Sequence, residues 1–401
     1  MLRGKEIVLG VTGGIAVYKA VELLRLLTKV GAVVHVVMTR AATEFVTPLT
    51  FQTLSGQPVH LELFNLISEQ RIGHITLAER ADLFLIVPAT ANFIGKIASG
   101  IADDLLSTTV MATRAPVLFA PAMNVNMYRN PIYQENEARL KSHGYLFVPP
   151  VSGMLACGWE GEGKLQDPEV ILEEAVAALT PKRLAGARIL VTAGPTREEI
   201  DPVRYISNHS SGKMGYAVAR AARLRGGEVT LVTGPTAIPV PFGVKVIRVE
   251  SAEQMREAVL GSLEFCDIVI KAAAVADYRP RLRSDMKVKK SAAHLAIDLE
   301  RNPDILSEIG AKKGDRLLVG FAAETEDLVA NAGRKLTQKN LDLIVANDVS
   351  QEGAGFNVDT NIVKLLFRDG RVEELPLMGK EELAGIILDR VEQLRGGVAR
   401  G

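Results

Sequence analysis

The residues able to do chemistry fall in short clusters along this 401-residue chain. Cys157 sits in SGMLACGWEGEGKL, residues 152–165, among four glycines. That composition predicts a mobile, exposed flap, unlike the setting of a buried inert cysteine. A thiol there can act as a proton donor or a nucleophile. PAMNVNM, residues 121–127, follows a strand pattern. A loop at a strand end can aim the Asn124 amide, which can donate two hydrogen bonds to a carboxylate. The same stretch suits core packing by Met123 and Met127, with Asn124 as a turn residue. His74, in RIGHI between two segments, is either a general acid–base or a structural histidine.

Other clusters suit anions. GVTGGIA, residues 10–16, joins a strand to a helix, so Gly13 and Gly14 allow close approach of a phosphate to backbone and helix N-terminus. A tight turn of any α/β protein reads the same way. Pro88, Ala89, Thr90 and Asn92 lie just after another strand, the end at which parallel sheets bind ligands. In the second half, AGPTRE (193–198) is again a strand-end loop. Residues 201–215 place hydroxyls, a glycine and Lys213 before a helix at 214–223, an anion site or a capped loop. Lys271, Ala272, Ala273 and Asp277 follow a buried strand; Asp277 could orient a ribose or base, or face a metal. Residues 279–290 carry six basic side chains and one acid, a solvated loop or a triphosphate clamp. Lys335 and Lys339, spaced i, i+4, share a helix face and could reach one phosphate chain, or could simply be exposed.

These loops need a frame. Apolar β-branched runs at 6–11, 33–39, 83–88, 117–121 and 145–149 predict strands buried on both faces. Ala16, Val17, Ala20, Leu23, Leu24 and Leu27 mark one face of the first helix. The pattern restarts after a polar break at 180–183, with strands expected at 187–191, 229–233, 244–249, 268–272, 317–321 and 343–346. Runs at 361–367 and 371–377 flank Asp369-Gly370, a hairpin signal. The expectation is therefore two consecutive doubly wound, Rossmann-like α/β domains, residues 1–183 and 184–401, the second with an added antiparallel hairpin.

Lys+Arg and Asp+Glu are both 47, so formal net charge is zero, which disfavours bulk nucleic-acid binding. The two cysteines, Cys157 and Cys266, form no disulfide framework. They fit a reducing, cytoplasmic setting. Cys266, in an apolar strand approach, is expected in the core. The first residues read as a strand and not a signal peptide, and no stretch reads as a membrane span.

Taken together, the Gly13-Gly14 loop, His74, PxMNxxM and ACGxxGxG resemble the bifunctional phosphopantothenoylcysteine decarboxylase/phosphopantothenate–cysteine ligase family of bacterial coenzyme A synthesis. VTAGPTREEIDPVRYISNHSSGKMG, AAAVADYRP, KVKK, RNPDIL and VGFAAET resemble its ligase half. The resemblance spans about residues 4–395; Lys164 stands where the family more often has Arg. It implies a flavodoxin-like domain with FMN near Gly13, Gly14, Thr39, Pro88, Ala89, Thr90 and Asn92. There the substrate thiol would be oxidised to a thioaldehyde, an electron sink for loss of CO2. Asn124 and Met127 would contact substrate, Asn124 at its carboxylate. His74 would assist oxidation and decarboxylation, and Cys157 would return a proton. For the second domain it implies Mg2+-dependent formation of an acyl-cytidylate of 4'-phosphopantothenate, from which cysteine displaces CMP. The CTP contacts would be Lys271, Ala272, Ala273, Asp277, Lys287, Asn302, Pro303, Asp304, Ile305, Phe321, Lys335 and Lys339. Asn208 would hold the intermediate, and Mg2+ would ride mainly on the phosphates. Lys287 is chosen over Lys289 and Lys290. Lysines read phosphates and not bases, so CTP and ATP are not distinguished by the residues. Trimeric contacts of the first domain and dimeric contacts of the second would close into a dodecamer. Other readings are a decarboxylase of peptide-terminal cysteines fused to another ligase, and a flavoprotein regulator; the second predicts loss of His74 or Cys157, and both are present.

Overall fold

The computed structural model describes residues 2–63, 73–154, 158–289, 296–324, 326–348, 355 and 358–398. It divides into two compact units, Met1–Thr180 and Pro181–Gly401.

In the first unit, β1 (Glu6–Val11), β2 (Val33–Met38), β3 (Val59–His60), β4 (Leu83–Ala89), β5 (Val117–Pro121) and β6 (Leu146–Phe147) form a parallel sheet. Its order is β3-β2-β1-β4-β5-β6. Without the two-residue edge strand β3, that is the 2-1-3-4-5 order of flavodoxin-like folds. Every residue of the central strand β4 is buried, as helices on both faces require. Helix Val17–Lys29 buries Val17, Ala20, Leu23, Leu24 and Leu27. At about 1.5–3 kcal/mol per large aliphatic side chain, this stripe outweighs a missing N-cap, since Ala16 offers no side-chain bond and a good cap adds only about 1 kcal/mol. The glycine-rich stretch expected as a loose flap has paired limbs, β7 (Val151–Met154) and β8 (Glu160–Lys164).

In the second unit the strands are β9 (Arg188–Ala193), β10 (Arg197–Glu199), β11 (Tyr205–Ser207), β12 (Glu228–Thr233), β13 (Lys245–Arg248), β14 (Ile268–Lys271), β15 (Tyr278–Pro280), β16 (Leu299–Arg301), β17 (Leu317–Glu324), β18 (Leu343–Asp348), β19 (Thr360–Phe367) and β20 (Val372–Gly379). The main sheet runs β13-β12-β9-β14-β17-β18-β19-β20. Its first six strands are parallel in the 3-2-1-4-5-6 Rossmann order, and β19 and β20 add the expected antiparallel hairpin. Two small antiparallel ladders, β10/β11 and β15/β16, are too short to show as periodicity. One core joins helices Lys213–Leu224 and Lys380–Val398 to one sheet face; a second joins helices Ala252–Ser262, Ile305–Ala311 and Leu328–Gln338 to the other. Cys266 is buried in the second core, as expected. Among the described residues no helix is long and apolar enough to cross a membrane.

The tightest backbone contact in this unit lies at Gly234, just past β12. A Cβ there would stand 1.7 Å from the carbonyl oxygen of Pro195. Gly234→Ala is therefore expected to lower the stability of the second unit by about 1–3 kcal/mol. Gly261→Ala, where a Cβ meets nothing within 4 Å inside helix Ala252–Ser262, should raise it by about 0.5–1 kcal/mol. Denaturant midpoints of both variants check the pair.

Candidate functional site

Each sheet has a switch point, between β1 and β4 and between β9 and β14, where neighbouring connections leave in opposite directions and open a crevice. In the first unit Thr12, buried just after β1, bonds the neighbouring loop. Its hydroxyl donates to Pro88 O at 2.7 Å and accepts from Thr90 N at 3.0 Å. Pro88 and Ala89 close β4; Thr90 caps helix Ala91–Ala98 by accepting from Phe93 N at 3.4 Å. Asn92 lies exposed in that helix's first turn. Thr39, after β2, donates its N–H to Val11 O at 3.0 Å. A Cβ on Gly14 would meet nothing closer than Thr90 Cγ2 at 3.8 Å, so this face is open to a ligand. Gly13 is pressed on Ala41, 2.5 Å from an added Cβ.

Asn124 caps the short helix Val125–Tyr128, its Oδ1 accepting from Asn126 N at 2.8 Å. The amide nitrogen of Asn124 is its donor group. Ala122 N–H donates to Ala89 O at 3.1 Å, joining this loop to the switch point. The flap's return limb lies on the same loop: Met123 N–H donates to Gly163 O at 2.9 Å, and a Cβ on Gly163 would fall 2.3 Å from Met123 O. Met127 is exposed. His74 does not lie between segments; it is in the first turn of helix Gly73–Arg80. Its Nδ1 is buried with no hydrogen-bond partner among the described residues. Cys157 lies outside the described residues.

The second switch point repeats the threonine device. Thr192 and Thr196, both fully buried, accept from Ala273 N at 3.1 Å and Ala276 N at 3.0 Å. Beside them opens a cleft of about 940 Å³. It is lined by Asn208, Lys271, Ala272, Ala273, Asp277, Asn302, Pro303, Asp304, Ile305, Phe321, Lys335 and Lys339, every second-half candidate except Lys287. The start of helix Lys213–Leu224 also faces it. Asn208 Nδ2 donates to Val275 O at 3.0 Å. Asn302 donates to Ala276 O at 2.8 Å, and its Oδ1 has no partner among the described residues.

Lys287 is exposed and outside the lining. The reason is the anchoring of Val288: its N–H donates to Asp201 at 3.1 Å and its carbonyl accepts from Arg204 at 3.0 Å. Asp201 is itself buried. Burial alone would raise its pKa, but backbone N–H bonds from Val203, Val288 and Arg204 hold it below the usual value.

The cleft's charge is local. Lys339 pairs with Asp304 at 2.9 Å. Burial, helped by nearby Lys339, brings Lys271 down to about 8. Sequence reasoning quoted the strand-end loops but missed Thr12, Thr192 and Thr196. The signal for Thr12 and Thr192 was a threonine at the end of the first strand of each half; Thr196, three residues past β9, had no such signal.

Residues 1–180 match the family model described as Flavoprotein, and residues 184–394 the model described as DNA/pantothenate metabolism flavoprotein C-terminal domain. The chain is similar to the Coenzyme A biosynthesis bifunctional protein CoaBC of Bacillus subtilis (strain 168), 50% identical over 398 residues and 98% of each chain. It is 49% identical over 395 residues to the protein of that name from Escherichia coli (strain K12), 97% of each. A solved structure of the C-terminal domain of such a protein is 47% identical, with a TM-score of 0.47, covering 54% of this chain and 99% of that one.

The low pKa of Lys271 has a direct consequence. Above about 8 its ammonium loses its proton, and the cleft loses one positive charge. Affinity of the full chain for inorganic triphosphate should fall by up to about tenfold per pH unit between 8 and 9. In Lys271→Arg, which stays charged, that fall should vanish. Titration calorimetry at the two pH values tests this.

Proposed function

The chain belongs to the bifunctional coenzyme A biosynthesis family, a flavoprotein decarboxylase module followed by a ligase module, and from that premise we propose a two-step reaction. Residues 184–401 join cysteine to 4'-phosphopantothenate using CTP and Mg2+. Residues 1–183 decarboxylate the phosphopantothenoylcysteine to 4'-phosphopantetheine. The observation that carries the reading is the single cleft gathering Asn208, Lys271, Asn302, Asp304, Lys335 and Lys339 at the second switch point.

A carboxylate is a poor electrophile, so it must be activated before an amine can attack. Lys271, Lys335 and Lys339 would neutralise the nucleotide phosphates, and Mg2+ would be held mainly by those phosphates. Asn208, one amide hydrogen committed to Val275 O, has its second hydrogen and its oxygen to hold the acyl-cytidylate. The exposed Lys287 would contribute only where another surface brings it to a phosphate.

The first switch point suits FMN. Hydroxyls of Thr39 and Thr90, the open face of Gly14 and the backbone of Gly13, Pro88, Ala89 and Asn92 would hold its phosphate and ribityl chain. FMN, when bound, supplies a two-electron oxidation of the substrate thiol and takes part in the later reduction. The amide of Asn124 would hold the substrate carboxylate, Met127 would flank it, His74 would assist deprotonation, and Cys157 would return the proton. Exposed Leu49, Ile132 and Trp159 on the first unit, and Leu282 and Met286 on the second, are the surfaces that trimeric and dimeric contacts would cover. A dodecamer in the cytoplasm, with no nucleic-acid or membrane partner, completes the reading.

The test is one incubation of purified, flavin-loaded protein with 4'-phosphopantothenate, cysteine, Mg2+ and either CTP or ATP, followed by mass spectrometry. 4'-Phosphopantetheine with CMP is expected; AMP would reassign the nucleotide, and no mass change would overturn the reading. Cys157→Ser should stall before the saturated product, whereas full turnover would remove Cys157 from the mechanism. Asn208→Asp should abolish ligation and leave decarboxylation of supplied phosphopantothenoylcysteine intact.

A further inference from the structure

Asn361 belongs to no motif named above. It is the second residue of β19 and only 6% exposed. Because β19 runs antiparallel to β18, its start lies at the edge where β9, β14, β17 and β18 end, and Asn361 lines the cleft there. Its Oδ1 is buried and has no hydrogen-bond partner among the described residues. Its Nδ2 reaches the sulfur of Met214 at 3.9 Å, a weak acceptor. A buried carboxamide left this way destabilises the free protein until a ligand bonds it.

The chemistry of the partner follows from the atom left over. Oδ1 accepts, so the ligand group must carry N–H or O–H. Ionised phosphate and carboxylate oxygens carry neither. Two apolar side chains stand beside it: Met214 touches Asn361 and Val363 follows it on the same strand face, while Lys213 and Lys380 line the cleft as well. The side of the sheet also matters. The helices that bring Ile305 and Lys335 to the cleft pack on one core, whereas Met214 packs on the other. We propose that Asn361 reads the acyl substrate: its carboxamide takes the hydroxyl or amide N–H of the pantothenoyl chain, whose dimethyl carbon meets the Met214–Val363 wall. This rests on the ligase reading above and adds a specificity-determining residue to it.

The test is Asn361→Leu in the full chain, near in size and unable to hydrogen-bond. The KM for 4'-phosphopantothenate should rise about tenfold or more, with the KM for the nucleotide unchanged. Thermal unfolding should occur at the same or a higher temperature, because no polar atom is left unpaired. Asn361→Ser, which keeps an oxygen, should raise that KM less, and it carries the test if the leucine variant does not fold. A rise in nucleotide KM instead, or unmoved KM values with a lowered unfolding temperature, overturns the proposal in favour of a nucleotide contact or a structural role. Wild-type protein inactive with either nucleotide overturns the ligase reading and this one with it. An active wild type with an indifferent Asn361 overturns this one alone.

Discussion

A threonine hydroxyl bridging two loops is the interaction on which both sites depend. At a switch point the connections on either side of two parallel strands diverge, which opens a crevice and leaves its rims unsupported. Thr12 closes the first by donating to Pro88 O and accepting from Thr90 N. Thr192 and Thr196 close the second by accepting from Ala273 N and Ala276 N. Each hydroxyl is buried and therefore has to be satisfied. The loops consequently have one relative position, and every ligand-facing group they carry inherits it. The same logic explains Gly234 and Gly163: where two loop backbones touch, a side chain has no place.

The second crevice concentrates positive charge in a chain whose net charge is zero. Charge balance is global, whereas binding is local. Lys271, Lys335 and Lys339 converge on one cleft, and their mutual repulsion is moderated in two ways. Asp304 pairs with Lys339 and is held below the usual carboxylate pKa because that contact and the Ser307 N–H outweigh burial. Lys271 meets its burial by a lowered pKa. A lysine whose pKa can fall on burial and rise again beside a phosphate would cost less to bury than a permanent cation.

The frame was legible because its physics is written in runs of residues. A strand buried on both faces has to be continuously apolar, and β4 is. The Asp369-Gly370 turn was legible for the same local reason: Gly370 takes φ 88° and Asp369 accepts from Arg371 N. Lys335 and Lys339, expected on one helix face, both line the cleft. What was illegible depends on contacts distant in sequence. The β7/β8 pairing hides in glycines, which carry no alternation. The outward turn of Lys287 is set by Asp201 and Arg204, more than eighty residues away. Asn361 reads as the polar start of a strand, and only the absence of a partner among the described residues distinguishes it.

The two sites also differ in the groups they would offer a carboxylate, and the proposed reactions require that difference. In the second unit the acyl carboxylate must lose its negative charge to become an electrophile, so cations are gathered where phosphates would lie. In the first, the carboxylate must leave as CO2. A guanidinium there would bind the ionised ground state most tightly and lose that interaction as the charge departs, which would raise the barrier. Asn124 offers neutral donors instead, aimed by the bond its oxygen accepts from Asn126. In the proposed reaction it would orient the carboxylate with an interaction weak enough to surrender as the charge moves into the substrate's sulfur. An amide at one site and lysines at the other are thus two solutions to one problem: where the charge of a carboxylate must go.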